Sequence, residues 1–282
     1  MRARTIYTGV AVLLILCQSI NAGQKIKYKF EDGKTYKYST VLDSKTSGQA
    51  MGQEFTMTSG ANLDYEIKLI DLKDRIYTLA VTFKKFDVKL NLPMMGFNDS
   101  TIVMNEYVDK RVKVTMTEQG KTISIQPIDT IAPSRIQMMA NLTPSDLFKQ
   151  LLLELPEKEM DVNSTWKKNT PDTTFRSGMK VITKQNMDYK VIGAEKKNDF
   201  NCWKISISGT NALEGSGSQR GNDVTIDGTI KVNGTVYIAP AEGLFVLSEQ
   251  SAENDITTTV TGSQTGASTM LVNTTVKTVL VK

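Results

Sequence analysis

Apolar and polar residues alternate along most of this chain, and a period of two marks strands with one buried and one wet face. Ile26, Tyr28 and Phe30 alternate with Lys27 and Lys29. Asp32-Gly33 supplies a type I′ turn signal, and Tyr36 and Tyr38 resume the alternation, which predicts a hairpin. Phe55, Met57, Ala61, Leu63, Tyr65, Ile67 and Leu69 then share one phase among mostly polar neighbours. Tyr77 to Phe83 and Phe86 to Leu92 read as two further strands. Val112 to Met116 and Ile123 to Ile125, around Glu118-Gln119-Gly120, read as another hairpin.

The same grammar returns after residue 167. Met187, Tyr189 and Val191 alternate, as do Trp203, Ile205 and Ile207, and Val224 to Ile238 keep one phase. Pro240-Ala241-Glu242-Gly243 makes a turn into Leu244, and strands around Ile256 to Val260 and Met270 to Val281 close the chain. Leu63-Asp64-Tyr65-Glu66-Ile67 is similar to Met187-Asp188-Tyr189-Lys190-Val191, and each leads through a charged turn to another alternating strand. This suggests two tandem halves.

Between them the period changes. Thr143 suits an N-cap, Pro144 the first helical position and Asp146 the first turn. Leu147, Phe148, Leu151, Leu152 and Leu155 make an apolar stripe at helical spacing that Pro156 ends. A shorter helix over 133–140 is also expected. The predicted organisation is an N-terminal β half over 23–132, a helical connector over 133–166 and a C-terminal β half over 167–282. The fold class is mainly β: curved antiparallel sheets with a short central helical segment packed on the apolar face.

Residues 1–22 read as a secretory signal peptide, with Arg2 and Arg4 before an apolar run from Gly9 to Cys17. Cleavage is expected after Ala22, with Ser19 the alternative. The run is far short of the roughly 20 residues a spanning helix needs, and no later segment comes closer. Leu16 stands where a lipobox needs a small residue before Cys17, so the expectation is an exported periplasmic or extracellular protein without a lipid anchor.

Composition removes several chemistries. The 282 residues include no histidine, which excludes Ser-His-Asp and Cys-His catalysis and histidine zinc sites. Loss of the leader would leave Cys202 alone, in a strand-like run, as a buried inert thiol. Net charge would fall from +4 to about +2 with Arg2 and Arg4 gone, and no basic patch interleaves with aromatics, so nucleic acid is not an expected partner. Ser164-x-x-Lys167 and Ser177-x-x-Lys180 match a serine–lysine spacing, but without a helix or companion motifs. Gly120-Lys121-Thr122 lacks the upstream glycine and the helix of a phosphate loop. Gly215 to Gly221 reads as a flexible hairpin loop. Glu154, Glu157, Glu159 and Asp161 form an acidic run that a carboxylate hydrolase or a solvated linker explains equally. No catalytic, cofactor or metal site is predicted. The candidate apolar pocket gathers Met94, Met95, Phe97, Met138, Met139, Leu147 and Leu151, soft side chains suited to the mouth of a cavity.

Three stretches together resemble a family of exported bacterial envelope proteins of unknown function. They are Tyr28-Lys29-Phe30-x-x-Gly33-x-x-Tyr36-x-Tyr38, then Val112-Lys113-Val114-Thr115 with Gly120-Lys121, then Leu155-Pro156 with Val162-Asn163-Ser164-Thr165-Trp166. That resemblance implies an envelope protein, often lipid-anchored, with no assigned reaction. Tyr237-x-x-Pro240-x-x-Gly243-Leu244 is similar to a turn in periplasmic lipoprotein-carrier proteins, which implies an open half-barrel with helices plugging a pocket for acyl chains. The functional expectation is a non-enzymatic envelope protein that binds a lipid or another apolar ligand. The alternatives are a structural or adhesive module recognising protein or glycan, and a carboxylate-based hydrolase.

Overall fold

The computed structural model describes residues 23–50, 52–93, 96–132, 148, 152–176, 179–219, 221–262 and 265–281. They form one antiparallel sheet of 14 strands. The N-terminal half supplies β1 (Thr35–Ala50), β2 (Gln53–Lys73), β3 (Ile76–Leu92), β4 (Phe97–Val103), β5 (Arg111–Thr117) and β6 (Thr122–Pro127). The C-terminal half supplies β7 (Thr165–Lys168), β8 (Pro171–Arg176), β9 (Met179–Lys184), β10 (Met187–Lys197), β11 (Phe200–Gln219), β12 (Asn222–Ala239), β13 (Leu244–Thr261) and β14 (Gly266–Val281). The mainly β, antiparallel reading of the sequence therefore holds. Among the described residues no helix is long and apolar enough to cross a membrane.

The strand order runs β6-β5-β3-β2-β1-β14-β13-β12-β11-β10-β7. Read from β7 to β14 and on from β1 to β6, this path follows the chain. Its neighbours farthest apart in the chain are β1 and β14, which pair from Lys37↔Val281 to Ala50↔Ser268. The first and last strands thus meet in the middle of the sheet, and the sheet stays open between β6 and β7. The connector joins those two free edges. β4 is a branch on β3, and β8 and β9 are a branch beside β11. Each of the long strands β3 and β11 therefore carries two shorter partners end to end along one edge, β5 and β4 on β3, and β10 and β9 on β11.

Turn chemistry sets the register of the hairpins. Lys73 pairs with Ile76 across Asp74-Arg75, and Lys197 pairs with Phe200 across Asn198-Asp199. All four loop residues have positive φ, from 46° to 67°, the geometry of a type I′ turn whose twist matches the flanking strands. Tyr65 then faces Phe83 and Tyr189 faces Ile207 at matching distances from the two turns.

The inward phase of the strands builds one continuous core. Ile67, Leu79, Val81, Phe83, Val112 and Ile205 are fully buried in it. Phe83 stacks on Phe86 with centroids 6.2 Å apart and meets Tyr107 edge-on at 5.7 Å. Phe148, the described residue of 133–151, is helical and buried, and its ring lies 5.0 Å from that of Phe83. The predicted helix over 133–140 and the stretches 143–147 and 149–151 lie outside the described residues, whereas Leu152 to Leu155 are described and are not helical, because the Leu155 backbone N–H is donated to Gln119 rather than to a preceding helical turn. Leu152 and Leu155 are buried even so.

Three sequence expectations need correction. Ile26 to Phe30 do not form a strand of a hairpin with β1, because both edges of β1 are occupied by β2 and β14. The arm instead crosses two hairpin ends: Tyr28 donates its backbone N–H to Glu118 and Lys29 to Gly243. Tyr77 to Phe83 and Phe86 to Leu92 are one strand, with a register shift opposite Asp64 and Tyr65 that keeps both apolar runs facing inward. Gly215 to Gln219 are not a loop but the end of β11, paired throughout with β12 and, from Gly215 to Gly217, with β9 on the other edge. Gly215 leaves room there for Val181 and Ile226, whose side chains would lie 3.4 and 3.2 Å from an added Cβ.

Candidate functional site

Leu152 to Leu155 lie between the β5–β6 turn and β7, at the open side of the sheet. Leu155 donates its backbone N–H to Gln119 in the β5–β6 turn, Tyr28 donates its hydroxyl hydrogen to the Leu153 carbonyl, and Glu154 pairs with Lys168 of β7 at 3.0 Å. Lys158 caps the Thr165 carbonyl on the same strand. These contacts hold Leu152, Leu153 and Glu154 over the inner face of β10 to β14. A cavity of about 340 Å³ lies beneath them.

Its walls are apolar: Met187 and Tyr189 of β10, Ile207 of β11, Val232 and Val236 of β12, and Phe245 of β13. Its floor is uncharged and mixed, with Ala252 and Val276 set among polar side chains. Ser248 and Gln250 of β13 and Thr274 and Thr278 of β14 occupy inward positions among those strands. Thr278 lies 2.9 Å from the Thr40 hydroxyl, and Gln250 donates to the Ser248 hydroxyl at 2.8 Å. Asn211 accepts from the Asn186 backbone N–H at 3.0 Å. At the rim Trp166 stacks on Tyr189, with centroids 5.0 Å apart. Burial first, and then the charge of Glu154, push the Tyr189 hydroxyl up to about 12.

Of the sequence-predicted pocket, Met94, Met95, Met138, Met139, Leu147 and Leu151 lie outside the described residues. Phe97 is described: it opens β4 opposite Leu92 and packs half-buried on the main core, away from the lining of this cavity. Sequence reasoning missed the polar floor. Its signal is in the phase of β14, where Thr274 and Thr278 interrupt an inward series of Met270, Val272, Val276 and Leu280.

A second, larger cleft of about 770 Å³ is lined mostly by outward positions of the long strands. Outward side chains line it, including Asp43, Lys45, Lys89, Asp99, Lys231 and Glu253. Several are spent on one another: Lys231 pairs with Glu253 at 3.5 Å, and Asn91 donates to Asp99 at 2.8 Å. The acidic run is also committed in part. Glu154 is held by Lys168, and Asp161 accepts from the Ser164 hydroxyl at 2.8 Å. Among the described residues no cluster of three or more acidic or cysteine side chains is placed to hold a metal. Cys202 is fully buried beside Tyr237, Ala239 and Val246, and burial pushes its thiol up to about 11.

No family model matches the sequence, and no curated protein matches it. Among solved structures, the chain is similar to a DUF1329 family protein from Desulfovibrio piger at 9% identity, covering 84% of this chain and 83% of that one, with a TM-score of 0.14. A likeness at that score carries no argument about the site, which rests on the residues above.

Proposed function

We propose that this chain is an exported cell-envelope protein, periplasmic or extracellular, that holds one apolar chain in its inner cavity. The observation that carries the reading is the roofed cavity itself. Its volume falls within the ordinary range of small-ligand pockets, its walls are aliphatic and aromatic, and a few polar groups converge on its floor. The apolar opening at residues 1–22 supports export, and a leader of that kind is removed on crossing the membrane.

The test is native mass spectrometry of the protein purified from its exporting host, with organic extraction of whatever co-purifies. A stoichiometric apolar adduct supports the reading. An unliganded protein that binds no apolar fluorophore overturns it.

The size of the outer cleft favours a second reading, a structural or adhesive module that recognises protein or glycan. Sugar-binding faces use aromatic rings as stacking platforms, and among the side chains whose burial is described no aromatic one is exposed. The inner cavity is therefore the better supported site.

A further inference from the structure

The cavity floor narrows the ligand class, on the premise that the cavity is a binding site as proposed above. Burying a polar group costs free energy unless a partner satisfies it, so a floor of purely structural origin would be aliphatic like the walls. Instead Ser248 is 4% exposed, Thr278 9% and Asn211 8%. Their hydrogen bonds to Gln250, Thr40 and Asn186 use only part of their capacity. A hydroxyl offers one donor and two acceptor sites, and a side-chain amide offers two donors and a carbonyl oxygen. The remaining sites belong to neutral groups.

The charged residues that line the cavity are Glu154 and Lys168, and they neutralise each other at the rim. A carboxylate or phosphate brought inside would lose its water and meet a cation already paired, which is unfavourable. An ester, amide or hydroxyl of a ligand would instead meet donors and acceptors of its own kind. We infer that the cavity takes an uncharged amphiphile: its hydrocarbon lies along Met187, Ile207, Val232 and Val236, and its neutral polar linkage lies on Ser248, Thr278 and Gln250.

The experiment compares three probes of one chain length, monolaurin, lauric acid and dodecane, by native mass spectrometry and titration of tryptophan fluorescence at pH 8. Monolaurin is expected to bind at least tenfold more tightly than lauric acid or dodecane. Thr278→Val and Gln250→Leu should each remove most of that preference, weakening monolaurin while dodecane binds at least as tightly as before. Gln250 is only half-buried, so Gln250→Leu remains informative if Thr278→Val does not fold. Equal or tighter binding of lauric acid overturns the inferred ligand class and leaves the cavity reading intact. A monolaurin preference that survives both substitutions overturns the assignment of the floor. Failure of all three probes to bind removes both readings together.

Discussion

A side chain cannot be added to Gly120 without entering the ring of Tyr28, whose Cε2 would lie 2.5 Å from the new Cβ. The Leu153 carbonyl oxygen would lie 2.7 Å from it on another side, and Gly120 has a φ of +87°. This contact locks the β5–β6 turn against the N-terminal arm and the segment that roofs the cavity. Gly120→Ala combines left-handed strain with overpacking, so it should cost about 3 kcal/mol. Gly33, with a φ of +72°, has nothing within 4 Å of the same position. Gly33→Ala should therefore cost only about 1 kcal/mol, for the backbone alone. Urea unfolding of both variants checks the contrast, and equal losses would show that Tyr28 is free to move aside.

Glu118 reads out the same corner in its response to pH. Its side chain accepts from Lys27 Nζ at 2.9 Å and from Arg75 Nε at 3.1 Å. Burial alone would raise its carboxyl, but the two cations more than offset that and hold it below its ordinary value of 4.5. A depressed carboxylate adds stability that is complete above the unfolded value and is lost as pH falls through the folded one. At pH 7 Glu118→Gln should therefore cost about 2 kcal/mol, the scale of a charged hydrogen-bonded group. The gap to the parent protein should shrink steadily below pH 4.5. Thermal melts of both proteins between neutral and acid pH measure it, and a gap that persists unchanged in acid would mean that the lost contacts are not ionic.

The strands were readable because period two and turn chemistry are local. Phe55 to Leu69 share a phase, Pro240 to Gly243 make the turn between β12 and β13, and each appears where the alternation places it. The pairing of β1 with β14 was not readable, since no local pattern says that Tyr38 will face Leu280. The fate of Ile26 to Phe30 follows from it: alternation predicts a strand, but a strand also needs a free edge. Of the candidate pocket Phe97 is the described member, and its place was not readable for a related reason. Phe97 and its methionine neighbours look adaptable in sequence, yet position in the sheet sends Phe97 to an edge beside Leu92. The polar floor was written in the sequence as two threonines in an inward phase, a signal that has meaning only once β13, β14 and β1 are neighbours.

Cys202 should behave as an inert core atom. Its thiol is buried, donates weakly to the Phe200 carbonyl at 3.6 Å, and is pushed up to about 11 chiefly by desolvation. The thiolate is the reactive species, so at pH 8 modification by a disulfide reagent should be roughly a few hundredfold slower than for a free thiol. Full reactivity should return in urea. Rapid titration of the folded protein would show instead that the small cluster of Cys202, Tyr237, Ala239 and Val246 opens readily.

Phe148 is the described anchor of the connector, and its energetics should show whether the roof is part of the fold. Its ring sits 5.0 Å from Phe83 and 5.4 Å from Tyr65, both buried inward residues of the sheet. Truncating a buried phenyl ring removes its transfer free energy and leaves a cavity, so Phe148→Ala should cost about 4 kcal/mol of global stability. Phe148→Leu, which refills most of the space, should cost about 1 kcal/mol. The same two variants separate folding from binding, because Phe148 does not line the inner cavity. A Phe148→Leu protein that folds normally but loses its apolar ligand would mean that the roof is positioned through this ring. A loss below about 1 kcal/mol for Phe148→Ala would mean that the connector rests on the sheet without being held by it.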